Sequence, residues 1–303
     1  MKSNLKLDEY LNTGINELVK GAMRATLQNQ KESIFLARYS FSAMKASSIR
    51  NTYGQMGKHI PPFLIAGITD RTYFSSNQAS DGETILESEE KAHRELSKEE
   101  WRKVFKEAGD IGIGLISLTG KEPLVRREVI EEAALHRSII FPILTKGNFL
   151  LDYLDLLDNN RNLVPILLID EEEKQEARDK ELANEKKKEN NREKEDRISL
   201  EEQMEALQKR EIYFGVAITV KHGDAEKVTA QEYLKAFQKK GCGIIVYLEY
   251  VPYREETKIF APDAEERLWF QKRVNELREE ENSMIYLSLP GDEKKYGGCL
   301  AAG

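Results

Sequence analysis

Seven short apolar runs, separated by amphipathic stretches of helical period, constrain this chain more than any other feature. The runs lie at 63–68, 111–118, 139–144, 163–169, 213–220, 244–251 and 284–289. Their hydrophobicity is nearly continuous rather than alternating, which is the mark of parallel strands covered on both faces. Between them lie helical stretches at 97–108, 124–136, 148–157, 200–210, 230–240 and 264–280. The first of these opens with Ser97 and Glu100 at the spacing of a capping box. Strand–helix alternation of this regularity predicts an α/β fold, either a β/α barrel or a doubly wound sheet. Periodicity alone does not choose between them. With 303 residues the chain can bury a barrel-sized core.

Ahead of the first run, residues 5–50 read as helix. Leu7, Leu11, Ile15, Leu18, Val19 and Met23 follow three- and four-residue spacing on one face, and a second helical stretch spans 31–49. From Tyr53-Gly54 to Pro61-Pro62 the pattern breaks, because paired prolines forbid helix there. Two parts are therefore expected, an N-terminal helical segment at 1–61 and a β/α unit at 62–303. One segment departs from the β/α rhythm. At 171–197, 20 of 27 residues are charged (11 acidic, 9 basic), and Leu182 is its only large apolar side chain. Such a stretch cannot bury a face against a barrel, so it reads as a solvated insertion or a docking arm for a protein partner.

Charge and cysteine content narrow the function classes. A net charge of −7 with 33% charged residues suits a soluble cytoplasmic protein and argues against nucleic-acid binding, which calls for a concentrated basic field. No apolar run approaches the ~20 residues of a membrane span. The first residues, M-K-S-N-L-K-L-D-E-Y, lack the apolar core of a secretory signal. Cys242 and Cys299 are the only cysteines, so no disulfide framework is available. Cys242, between Gly241 and Gly243 at the start of a run, reads as a buried small hydrophobe. None of His59, His93, His136 and His222 has the i, i+4 partner of a helical zinc motif. His222, at the C-terminal end of a run, is the histidine best placed for a site.

In a β/α barrel the loops after each strand gather at one mouth. Here they offer Asp70, Arg71 and Thr72, then Gly120-Lys121-Glu122-Pro123, Thr145-Lys146-Gly147-Asn148, Asp170-Glu171, Lys221-His222 and Glu249-Tyr250. Their setting is distinctive: I-P-P-F-L-I-A-G-I-T-D-R at 60–71, T-G-K-E-P-L at 119–124, L-V-P-I-L-L-I at 163–169 and I-Y-F-G-V-A-I-T-V at 212–220. K-K-G-C-G at 239–243, L-E-Y-V-P at 248–252 and Y-G-G-C-L-A-A-G at 296–303 complete it. On these segments the chain resembles the radical S-adenosylmethionine superfamily over nearly its whole length apart from 171–197.

The resemblance implies a partial (β/α)6 barrel, open on one side. It also implies a C-x3-C-x2-C loop after the first strand, whose thiolates hold a [4Fe–4S] cluster that chelates S-adenosylmethionine. At those three positions this chain has Thr72, Ser76 and Ala79. Hydroxyls are weak iron ligands and a methyl group is none. Family members carry G-G-E-P after the second strand, where backbone carbonyls and the acid receive an ammonium group. Gly120, Glu122 and Pro123 match, and Lys121 replaces the second glycine with a positive charge. An E-G pair after strand four, which contacts the nucleoside, is represented by Asp170-Glu171. Gly120, Glu122, Pro123 and Asp170 are thus the candidate S-adenosylmethionine-binding residues. Relatives continue past G-G-C-L-A-A-G into a further cysteine-bearing region, so this chain reads as truncated at Gly303.

The expectation is a degenerate relative with no cofactor and no catalytic residues, acting as a scaffold or binding protein. Its partner surfaces would be the N-terminal helices or 171–197. Two alternatives stand beside it. One is an enzyme that retains S-adenosylmethionine binding. The other is a barrel repurposed around a divalent metal held by Glu122, Asp170 and Glu249.

Overall fold

The structure is a computed structural model that describes residues 30–74, 84–86, 94–169, 198–252, 254–280 and 284–289. Residues 1–29, Ser76, Ala79, Asp170, the charged segment 171–197 and Cys299 lie outside them.

Among the described residues, seven strands form one parallel sheet. They are β1 (Phe63–Thr69), β4 (Leu115–Gly120), β5 (Phe141–Thr145), β6 (Leu163–Ile169), β7 (Gly215–Val220), β8 (Ile244–Glu249) and β9 (Ile285–Leu289), neighbours in that order. The helices that carry the chain between them are α2 (Lys98–Asp110), α3 (Arg127–Leu135), α4 (Leu154–Asn159) and α5 (Leu200–Lys209). The short α6 (Ala225–Val228), α7 (Gln231–Lys239) and α8 (Ala264–Glu279) follow. The sheet curls into a half-barrel with helices on its outer face, so the barrel is favoured over the doubly wound sheet. Strand β9 adds a seventh strand at one edge, and β1 forms the other.

Each apolar run supplies two faces. Phe141, Ile143, Leu163, Leu167, Val216, Ile218, Ile245 and Tyr247 point outward into the main core, to which Trp101 and Phe105 of α2 also belong. The Phe105 ring lies 5.4 Å from Trp101 and 5.0 Å from Phe141. Alternate residues Val164, Ile166, Ala217 and Val246 pack together on the inner face. Gly215 makes room for this packing, since a Cβ there would sit 2.8 Å from both Ile166 and Ile244. Burial of an aliphatic or aromatic side chain contributes about 1.5–3 kcal/mol, which is why near-continuous runs become central strands.

Helix ends follow the local signals. Ser97 and Glu100 form the expected capping box, with Glu100 N donating to Ser97 Oγ at 3.3 Å and Ser97 N to Glu100 Oε2 at 2.8 Å. Ser199 and Glu202 cap α5 in the same way. The run at 111–118 begins later as a strand than expected. Ile111 is the C-cap of α2 and Gly112, at φ 93°, reverses the chain, so β4 starts at Leu115. That reversal seats α1 (Gln30–Gln55), which falls within the stretch 1–61 expected to be helical. Tyr39 OH donates to Gly114 O at 2.9 Å, and Arg50 donates to Gly112 O. A Cβ at Gly112 would lie 2.6 Å from Ala46 O, so the close approach of α1 requires glycine.

The segment after β1 starts with structure of its own. Strands β2 (Thr72–Phe74) and β3 (Thr84–Leu86) pair antiparallel, Thr72 opposite Leu86. The sequence pattern predicts a polar loop here; the β-branched and aromatic residues Thr72, Tyr73, Thr84 and Ile85 account for the hairpin.

Candidate functional site

The mouth lies at the C-terminal ends of the parallel strands. Its most constrained corner joins β1, β4 and β5. Gly120 has φ 135°, and a Cβ on it would stand 2.2 Å from Thr69 O. Lys121 N donates to that same oxygen at 3.2 Å. Gly120 therefore fits only as glycine, whereas the exposed Lys121 is tolerated because its side chain leaves the contact.

Glu122 follows and is 2% exposed. Its Oε1 accepts from Thr145 Oγ1 at 2.6 Å and from Leu124 N at 3.2 Å, and its Oε2 accepts from Lys146 N at 3.1 Å. Pro123 is buried at the first position of the 3₁₀ turn Pro123–Val125, where its missing N–H costs nothing. Burial raises the Glu122 carboxyl above its ordinary value, while Thr145, the two backbone donors and the charge of Lys146 oppose the rise. The Thr145 hydroxyl also accepts from Gly147 N at 2.9 Å. Gln203 of α5 closes the corner, donating to Lys146 O at 3.2 Å and to Ile198 O at 3.0 Å.

A second knot, between β1 and α3, was not visible in the sequence pattern. Arg126 is 4% exposed and donates to Ile68 O at 2.8 Å, Leu96 O at 2.7 Å, Glu95 Oε2 at 2.8 Å and Glu128 Oε1 at 2.6 Å. Glu95 also accepts from Thr69 Oγ1 at 2.6 Å and pairs with Arg71 at 2.9 Å. This carboxylate ties the end of β1 to the approach of α2. The nearest sequence signal is an arginine set between the apolar Val125 and Val129, which is weak.

On the β7–β8 side the loops are ionic and aromatic. Glu249 pairs with Arg267 at 2.6 Å. The Lys221 ammonium lies 5.6 Å from the Tyr250 ring and 5.7 Å from the Phe260 ring. Glu122 and Glu249 are each spent on protein partners, and neither belongs to a group of metal-ligand atoms among the described residues. The metal site expected from Glu122, Asp170 and Glu249 therefore gains no support from its two described members. Gly120 ends β4, Glu122 caps the 3₁₀ turn that follows and Pro123 opens it, so the three lie at one corner of the mouth.

Cys242 sits at the opposite end of the sheet. It precedes β8, whose six residues pair with β7 from Gly215↔Ile244 to Val220↔Glu249, so it marks the base and Glu249 the mouth. Its thiol is buried, donates to Ile244 O at 3.2 Å, and is pushed up to about 12 by burial. Among the described residues no helix is long and apolar enough to cross a membrane.

No family model matches the chain. The PqqA peptide cyclase of Rhizobium meliloti (strain 1021) is 32% identical over 91 residues, 29% of this chain and 23% of that protein. Among solved structures, Streptococcus suis SuiB bound to S-adenosylmethionine superposes with a TM-score of 0.53 at 12% identity. That match covers 94% of this chain and 66% of SuiB. SuiB bound to its precursor peptide SuiA gives 0.50 at 11% identity, covering 85% of this chain and 59% of SuiB. The chain thus spans less than two thirds of the length of the relatives it matches, and the structural likeness establishes the half-barrel fold.

Proposed function

We propose that this chain, which resembles the radical S-adenosylmethionine superfamily in sequence and in fold, builds no [4Fe–4S] cluster and serves as a non-catalytic binding or scaffold protein. The observation that carries the reading is the position of Cys242. A cubane cluster takes about four ligands, mostly thiolates, gathered at one place. The chain has two cysteines, and one is sealed at the base of the sheet, a strand length of about 20 Å from the mouth. Thr72, Ser76 and Ala79 offer two alcohols and a methyl group at the family's ligand positions. This donor set does not fit the cluster.

The S-adenosylmethionine corner is altered in the same direction. Both oxygens of Glu122 are already hydrogen-bonded inside the protein, and Lys121 sets a positive charge where an ammonium-bearing ligand would approach. Accepting an ammonium at Glu122 would require giving up bonds to Thr145 or Lys146. Partner binding is assigned to the N-terminal helical segment and to 171–197, whose charge density suits a solvated arm. The reading includes no nucleic-acid partner, no membrane partner and a cytoplasmic location.

Anaerobic reconstitution with iron and sulfide tests it directly. The expected product is colourless, with iron and sulfide at background per chain. A brown protein holding about four irons per chain would overturn the reading. Calorimetric titration with S-adenosylmethionine and its demethylated product follows, with no heat of binding expected. Saturable binding of either would favour a retained nucleoside site built on the Gly120–Pro123 corner.

A further inference from the structure

The fold brings one further set of donor side chains together at the mouth, away from Glu122. His222 follows β7, and Asp263 and Glu266 lie at the start of α8; one ligand atom from each falls within 4.8 Å of the others. We propose that His222, Asp263 and Glu266 form a binding site for a divalent transition metal, with zinc as its probe. The proposal goes beyond the reading above and neither needs nor excludes it.

The donor chemistry selects the ion class. An imidazole nitrogen with two carboxylates suits zinc and its neighbours, whereas magnesium and calcium take oxygen ligands. Three protein donors leave a coordination position for water, and His222 at 56% exposed and Glu266 at 24% keep that side open to solvent. The geometry needs little change. Donor atoms around a tetrahedral zinc with bonds of ~2.0–2.1 Å stand about 3.4 Å apart. His222 Nδ1 and Glu266 Oε2 are 2.7 Å apart, so they must separate by about 0.7 Å to admit the ion.

Helix capping accounts for the two acids but not for the histidine. Asp263 Oδ1 accepts from the backbone of Glu265 and Glu266 at 2.9 Å each, and among the described residues no donor reaches its Oδ2. Glu266 Oε1 accepts from Gly223 N at 2.8 Å, and its Oε2 from Asp263 N at 3.0 Å. Such backbone donors orient carboxylates in the way outer hydrogen bonds do around bound metals. His222 comes from a separate strand end, 44 positions away from Glu266, and turns its Nδ1 onto that carboxylate. Its backbone N donates to Phe260 O at 2.9 Å, which holds the β7 loop against the approach to α8.

The experiment is calorimetric titration of zinc chloride into the whole chain, with cobalt(II) absorption as a second readout. One zinc per chain with micromolar or tighter affinity is expected. His222→Ala weakens it at least tenfold, and so does Asp263→Asn, which keeps the helix cap because asparagine caps as well as aspartate. Circular dichroism melting checks that both variants fold. Absence of zinc binding in the parent chain overturns the site, as does equal affinity in the two folded variants. Iron–sulfur reconstitution reads a different loop, so failure of either idea is visible separately.

Discussion

Glutamine in place of Glu122 is the most informative single change at the mouth. The carboxylate accepts three hydrogen bonds, from Thr145 Oγ1, Leu124 N and Lys146 N, at a position 2% exposed. Glutamine keeps an oxygen for Thr145 and Leu124 but turns an amide N–H₂ toward Lys146 N. A hydrogen bond to a charged group contributes about 1.5–3 kcal/mol, and a buried donor left without acceptor costs about 1–3 kcal/mol. Relief from burying a charge offsets part of this, so Glu122→Gln should cost about 2 kcal/mol at neutral pH. The pH dependence has a definite sign. Burial raises the folded-state pKa above the ordinary 4.5, so the folded chain holds this proton more tightly than the unfolded chain. Its contribution is fully present below the ordinary carboxyl value and is lost as pH rises through the raised folded value. The stability gap between the parent and Glu122→Gln should therefore be widest in acid and narrow toward neutrality. Urea unfolding at a series of pH values, read by circular dichroism, measures it. A gap that widens with rising pH, or no gap at any pH, refutes the assignment of Glu122 as a buried, desolvated carboxyl.

Three other outcomes follow from the packing. Arg126→Met strips Glu95, Ile68 O and Leu96 O of their shared donor and should cost about 3 kcal/mol in chemical denaturation, with Arg71 left to neutralise Glu95; a change below ~1 kcal/mol would show the knot to be idle. Gly112→Ala forces a Cβ to 2.6 Å from Ala46 O at φ 93° and should cost about 2–3 kcal/mol while detaching α1, seen as faster hydrogen exchange at Tyr39 and Ile49. In a Cys299→Ser background, Cys242 should resist thiol reagents at pH 8 until the chain unfolds, since burial holds its thiol near 12; prompt labelling of native protein would place it elsewhere.

The strands and helices were legible because their signals are local. An apolar run of six to eight residues, or a Ser97–Glu100 pair, specifies its own conformation whatever the rest of the chain does. Gly120, Glu122 and Pro123 share a corner simply because they are nearly consecutive. The hairpin at Thr72 and the late start of β4 were not, since pairing with residues 84–86 and the docking of α1 against Gly112 decided them.

Sequence by itself determined the parallel β/α architecture, through the spacing of apolar residues, and the shortage of thiolates, through composition. Tertiary structure alone decided what the polar residues do. It turned Glu122 inward onto Thr145, joined Arg126 to a carboxylate 31 positions away and brought His222 to Glu266. The physical reason is range. Burial of apolar side chains follows a period that any window of the chain displays, whereas a charge takes its meaning from whichever partner the folded sheet places within about 3 Å of it.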